Sequence, residues 1–160
     1  MNKKVQIHSK GVTHFVLVYS YMIFLFAVII GVLFDLLLKK KIFSDGIYQY
    51  IGFFMLLVSS LIIFWAQKSS VNYKQKKKKD ESLSHFEHGP YRYLRNPTHF
   101  GLFIMTLGFS LIINSLFSVI FTILAYIISK SFFLKKEEKI LESKYGEIYT
   151  NYKKKVKNWI

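Results

Sequence analysis

The 160-residue chain contains no cysteine. Disulfides, thiolate nucleophiles and cysteine metal sites are therefore excluded together, and the redox compartment is left open. Glycine is sparse, at eight residues, and no G-x-G-x-x-G run follows a strand-like segment. The usual dinucleotide-binding turn is thus missing, and any cofactor site has to come from helix ends and loops. Prolines and arginines number two each, and all four lie between Pro90 and Pro97. Acidic residues are few, nine against 23 lysines and arginines, for a net charge of +14.

What is abundant is apolar. Hydrophobic residues make up 52% of the chain and aromatics 18%. They come in long blocks, with the lysines between them, the pattern of a small polytopic membrane protein with basic flanks. The expected fold class is all-α, with about four transmembrane helices in one membrane domain spanning 1–160. The blocks cover 15–38, 47–66, 98–113 and 116–134. A loop at 67–97 separates the second from the third, and a basic tail fills 135–160. The first block is too long for a signal peptide and has no small-residue cleavage site after it, so it reads as a retained helix. Asn114 and Ser115 are the turn between the last two blocks, which form a tight hairpin.

Lysine and arginine placement sets the orientation. With four crossings, the termini and the 67–97 loop share a side. That side carries three basic residues before the first block, eight from Lys68 to Arg95 and eight from Lys135 onward, against Lys39, Lys40 and Lys41 opposite. The positive-inside rule makes both termini cytoplasmic. The membrane is the cytoplasmic one if the source is bacterial.

The stretch GPYRYLRNPTHFG, residues 89–101, stands at the mouth of the third block. Asn96 suits an N-cap and Pro97 the first helical position. A helix starting there turns its free N–H groups and positive dipole end toward the cytoplasm, which suits an anion. Arg92 and Arg95 stand beside it, Gly89-Pro90 gives a turn, and Tyr91 and Tyr93 give aromatic faces. His99 lies one turn in and is a candidate ligand-binding group or proton acceptor. The plain alternative is a helix start whose basic neighbours meet anionic headgroups.

A second cluster is EEKILESKYGEIYTNY, in which Glu137 and Glu138 follow the last apolar block. Leu141, Tyr145, Ile148, Tyr149, Tyr152, Val156 and Trp159 recur at helical spacing, an amphipathic helix on the membrane surface that Gly146 can bend. The acidic pair is either a solvated charge cluster or a cation site. A ligand with both a carboxylate and a positive centre would satisfy the two clusters together. His85, Glu87 and His88 are too loosely spaced for a metal site, so none is expected.

These residues resemble a known family. GPYRYLRNPTHFG is similar to the G-P-Y-x-x-x-R-[HN]-P-x-Y-x-G motif of the isoprenylcysteine carboxyl methyltransferase and phospholipid N-methyltransferase superfamily. The tail from Lys135 to Val156 resembles that superfamily's acidic pair, L, F/Y-G and spaced tyrosines, and Trp65-Ala66 its usual W-A. The likeness runs over about residues 47–157. It implies methyl transfer from S-adenosylmethionine to a lipophilic acceptor that enters from the bilayer: an isoprenylcysteine-like carboxylate, a phospholipid amine or another small lipophilic molecule. It implies a cofactor site of Gly89, Pro90, Tyr91, Arg95, Asn96, Pro97, His99, Gly101, Glu137 and Glu138. An amine or thiol acceptor must lose a proton, and His99 and Glu138 are the candidate catalytic groups. Two positions depart from the pattern: Asn96 stands where many members have His, and His99 where Tyr is usual.

Two other readings compete. One is a related membrane reductase using NADPH, for which two arginines are few. The other is a non-enzymatic polybasic membrane protein that binds anionic lipid. Topology accounts for the lysines well enough that no nucleic-acid partner is expected.

Overall fold

The computed structural model describes residues 3–38, 46–77 and 88–156, with side chains from Val18 onward in the first segment and to Asn72 in the second. All regular elements among the described residues are helical. Six α-helices follow in order: α1 (Lys3–Leu38), α2 (Ile47–Lys77), α3 (Pro97–Ile112), α4 (Leu116–Ile128), α5 (Lys135–Tyr145) and α6 (Glu147–Lys155). A 3-10 turn, Gly89–Arg92, precedes α3, and a π-helical segment, Ser129–Leu134, joins α4 to α5. Lys39, Lys40 and Lys41, most of the lysine-rich loop with His85 and Glu87, and Trp159 lie outside the described residues.

Three segments are long and apolar enough to cross a membrane: Val18–Leu38, Ile47–Asn72 and Leu116–Tyr145. The fourth apolar helix, Pro97–Ile112, has 16 residues. It rises about 24 Å, short of a hydrocarbon core of about 30 Å. The helices also overrun the apolar blocks. α1 begins at Lys3 and α2 continues to Lys77, because Lys and Gln are good helix formers and the backbone bonds simply continue beyond the apolar run.

Large apolar side chains on α1 and α2, such as Leu37, Tyr50, Phe54, Leu57 and Leu61, point outward and are exposed. The interior combines small and polar groups with one apolar cluster, Phe24, Ala27, Leu102, Ala125 and Tyr126. α2 packs along α3 and α1 along α4. A Cβ on Gly52 would sit 2.6 Å from the Gly108 carbonyl oxygen, so glycine is what lets α2 and α3 touch backbone to backbone. This is membrane packing, where apolar surface faces lipid and small residues bring helices together. Ser59, Ser110, Ser118, Thr122 and Ser129 are all fully buried. Several hydroxyls return their proton to their own helix, as Thr106 Oγ1 does to the Leu102 carbonyl at 2.8 Å and Ser110 Oγ to the Thr106 carbonyl at 2.9 Å.

The α3–α4 turn falls at Asn114 and Ser115. Asn114 adopts a left-handed φ of 54°, and Ser115 caps α4 by accepting from the Ser118 N–H at 3.1 Å. The Ser115 hydroxyl also donates to Asp35 Oδ2, which ties the end of α1 to the hairpin. The amphipathic tail is two helices, not one. Gly146, at φ 55° and ψ −130°, breaks it between α5 and α6. Tyr149 and Tyr152 of α6 and Val156 just beyond it are buried together, with Leu141 and Tyr145 of α5 against them.

Candidate functional site

The sequence motif and the tail meet at one end of the bundle. Asn96 is the N-cap of α3 and Pro97 its first residue, but the Asn96 side chain makes no capping hydrogen bond. The first helical bond runs from Phe100 N to the Asn96 carbonyl at 3.1 Å. The N–H groups of Thr98 and His99 therefore precede the helical ladder, as in the first turn of any helix. The positive end of the α3 dipole lies at the same place.

A cleft of about 430 Å³, counting the space open to solvent, lies against this turn and is lined by Ser20, Tyr91, Asn96, Pro97, Thr98, His99, Leu134 and Glu137. Of the ten residues expected from the family pattern, Tyr91, Asn96, Pro97, His99 and Glu137 line it. Ser20, Thr98 and Leu134 carried no signal in the sequence. Ser20 belongs to α1, far from either motif, and becomes a neighbour only through folding.

Gly89, Pro90, Arg95, Gly101 and Glu138 do not line the cleft. Glu138 is buried, and its Oε1 lies 2.9 Å from Arg95 Nη1, with both side chains about nine-tenths buried. The contact has the distance of an ion pair but not the direction of a hydrogen bond. Arg95 Nε also has no hydrogen-bond partner among the described residues. Lys153 of α6 reaches Glu138 Oε2 at 3.1 Å and Glu142 Oε1 at 2.8 Å. Its hydrogen bonds to Glu142 and then Glu138 push the lysine pKa above its ordinary value. Gly101 packs against Ile63 of α2, and a Cβ there would lie 2.6 Å from Ile63 Cγ1. Gly89 takes a positive φ of 49° at the start of the 3-10 turn, and Pro90 is buried beneath it.

Tyrosines tie the tail to the turn. The Tyr152 hydroxyl donates to the Tyr91 carbonyl at 2.7 Å, and Ser70 Oγ donates to the Tyr91 hydroxyl at 3.1 Å. Tyr149 is buried beside the ion pair, and burial, then the Glu138 carboxylate, push its phenol pKa upward. The His88 ring lies 4.9 Å from that of Tyr91, tilted by 38°, and burial, then the Arg92 charge, lower its pKa. His99 is buried deeper in, between the rings of Phe24 and Tyr126 at 5.5 and 5.7 Å. Its Nε2 lies 2.7 Å from Ser129 Oγ.

The cleft thus joins a helix N-terminus to a carboxylate, both within segments that one family shares. The sequence profile of the phospholipid methyltransferases matches residues 50–148. The chain belongs to the phospholipid methyltransferase family. With its apolar helices, that membership makes it a membrane protein of a methyltransferase family. The match takes in nearly all of α2, the 89–101 motif, the hairpin and the tail as far as Ile148, and leaves α1 outside. Neither the search of curated proteins nor that of solved structures gave a match.

Proposed function

We propose that the protein transfers a methyl group from S-adenosylmethionine to a lipophilic acceptor at the cleft beside the start of α3. The observation that carries this reading is the division of charge across the cleft. One wall is the N-terminal turn of α3, whose free N–H groups and dipole favour an anion. The other bears Glu137, which lines the cleft and takes no part in the ion pairs of Glu138. An amino-acid moiety, with a carboxylate and an ammonium, complements both.

The residues fit the cofactor. The carboxylate of its methionine part would be held by the Thr98 and His99 N–H groups. Its positive groups would be held by Glu137 and by the face of Tyr91. Arg95, buried with an unpartnered Nε, adds positive potential next to the α3 turn. When bound, S-adenosylmethionine supplies an electrophilic methyl group on sulfonium. The protein's own work is to orient the two reactants, exclude water and, for an amine or thiol acceptor, take up a proton. His99 is placed for the last task, since it lines the cleft and lies buried among aromatic rings. Glu138 is committed to Arg95 and Lys153, so it serves to set the wall and not to move a proton. Both termini and this cleft face the cytoplasm, with the lysines of the loop and tail against anionic headgroups.

The test is incubation of detergent-purified protein with methyl-labelled S-adenosylmethionine and a membrane lipid extract. Label is expected in the organic phase with wild type and, at subsaturating cofactor, about tenfold less or lower with Glu137→Gln. Turnover of NADPH, with no label transferred, would favour the reductase reading instead.

A further inference from the structure

Beneath the cleft, three polar side chains from three elements meet inside the bundle. Ser129 of the π segment is 0% exposed, Ser20 of α1 is 3% exposed and His99 of α3 is 6% exposed. Ser129 Oγ lies 2.7 Å from His99 Nε2 and 2.9 Å from Ser20 Oγ. His99 and Ser20 line the cleft, and Ser129 does not. A buried polar cluster in a helical membrane bundle is costly to keep unless it serves a purpose. π-helical turns are rare and fall mostly at functional sites. Here the π segment begins at Ser129 itself.

The two contacts restrict each other. Ser129 has one proton and cannot donate to both neighbours. If His99 Nε2–H donates to Ser129, then Ser129 donates to Ser20 and His99 Nδ1 keeps a lone pair. If Ser129 donates to Nε2, the ring proton is on Nδ1 and the lone pair is spent inside the bundle. The imidazole is held in place by Phe24 and Tyr126 on its sides, and Nδ1 has no partner among the described residues.

We infer that Ser129, together with Ser20, is a positioning residue that holds His99 in the Nε2–H form and so offers the Nδ1 lone pair to the headgroup of the acceptor. This rests on the methyl-transfer reading. It deepens it by specifying an acceptor whose nucleophilic atom carries a proton to lose. The proton moves without redox change. Nδ1 takes one from the headgroup, Nε2 gives its own to Ser129 Oγ, Ser129 passes its hydroxyl proton to Ser20 Oγ, and Ser20 releases one to water in the cleft. A carboxylate acceptor has no use for this chain of hydroxyls.

The experiment is ring-nitrogen NMR of ¹⁵N-histidine-labelled protein in detergent, with His99→Gln used for assignment. Wild type is expected to show His99 with its proton on Nε2. In Ser129→Ala, Nε2 loses its hydroxyl partner, and the proton should move to Nδ1, where cleft water can accept it. Ser129→Thr keeps the hydroxyl and should restore the Nε2–H form. Label transfer to lipid should fall by about tenfold or more in Ser129→Ala and recover in the threonine variant, with S-adenosylhomocysteine binding unchanged in both. Wild type carrying its proton on Nδ1, or an alanine variant with an unchanged tautomer, overturns the inference. Because the NMR arm needs no turnover, it decides the role of Ser129 even if no lipid in the extract is methylated.

Discussion

Glu137 and Glu138 are adjacent in sequence and have different surroundings. Glu138 is buried against Arg95 and Lys153, while Glu137 lines the cleft. The two substitutions should therefore separate. Glu138→Gln leaves Arg95 buried without its counter-charge, and thermal unfolding in detergent should show a loss of about 3 kcal/mol. Glu137→Gln breaks no ion pair and should cost less, about 1 kcal/mol or under. It should weaken S-adenosylhomocysteine binding about tenfold or more, since a hydrogen bond to a charged group contributes roughly 1.5 kcal/mol or above. Nothing in the pair of letters EE distinguishes the two. Their division follows from helical geometry, in which neighbours point about 100° apart, and from what the fold places on each side. The Arg95–Glu138 pairing is equally hidden, because the two residues are 43 positions apart and meet only in the fold.

Among the elements, α6 is the one held by the fewest local rules. Gly146 sets its direction with a φ of 55° and a ψ of −130°, and a Cβ there would touch nothing within 4 Å. Any cost of Gly146→Ala is thus backbone strain alone, about 1–3 kcal/mol. It should appear as faster tryptic cleavage around Lys153 in the folded protein, as Tyr152 loosens from the Tyr91 carbonyl. The α2–α3 contact is a packing constraint of the opposite kind. Gly108→Leu forces a side chain toward the Gly52 carbonyl, and the melting temperature should fall by the equivalent of about 1–3 kcal/mol or more. Apolar blocks and the Asn114–Ser115 turn were legible in the sequence, because long hydrophobic runs and turn residues each have one strong physical reading. The helical extension of α2 into the lysines was not, since lysine fits a helix and a loop alike. The π segment left no trace either: SKSFFL reads as ordinary helix.

At the scale of the whole molecule, the bundle puts its motifs at one end and the α3–α4 turn at the other. In the proposed orientation the motif end faces the cytoplasm. The absence of cysteine makes this directly testable. A single cysteine at Ser143, exposed on α5, should react with an impermeant maleimide only after cells are opened. One at Gln49, exposed on the first turn of α2, should react in intact cells. The reverse pattern would invert the topology. The family was legible from two short motifs, but Ser20, which lines the cleft, comes from α1, outside the shared region. Only a folded chain brings them to the site.

Whether the cleft at the start of α3 holds S-adenosylmethionine is decided by calorimetric binding of S-adenosylhomocysteine to detergent-purified protein, wild type beside Glu137→Gln. Wild type should bind with a Kd in the micromolar range, and the variant should lose about tenfold or more in affinity. A folded wild type that releases no binding heat, or a variant that binds as tightly as wild type, would contradict that assignment.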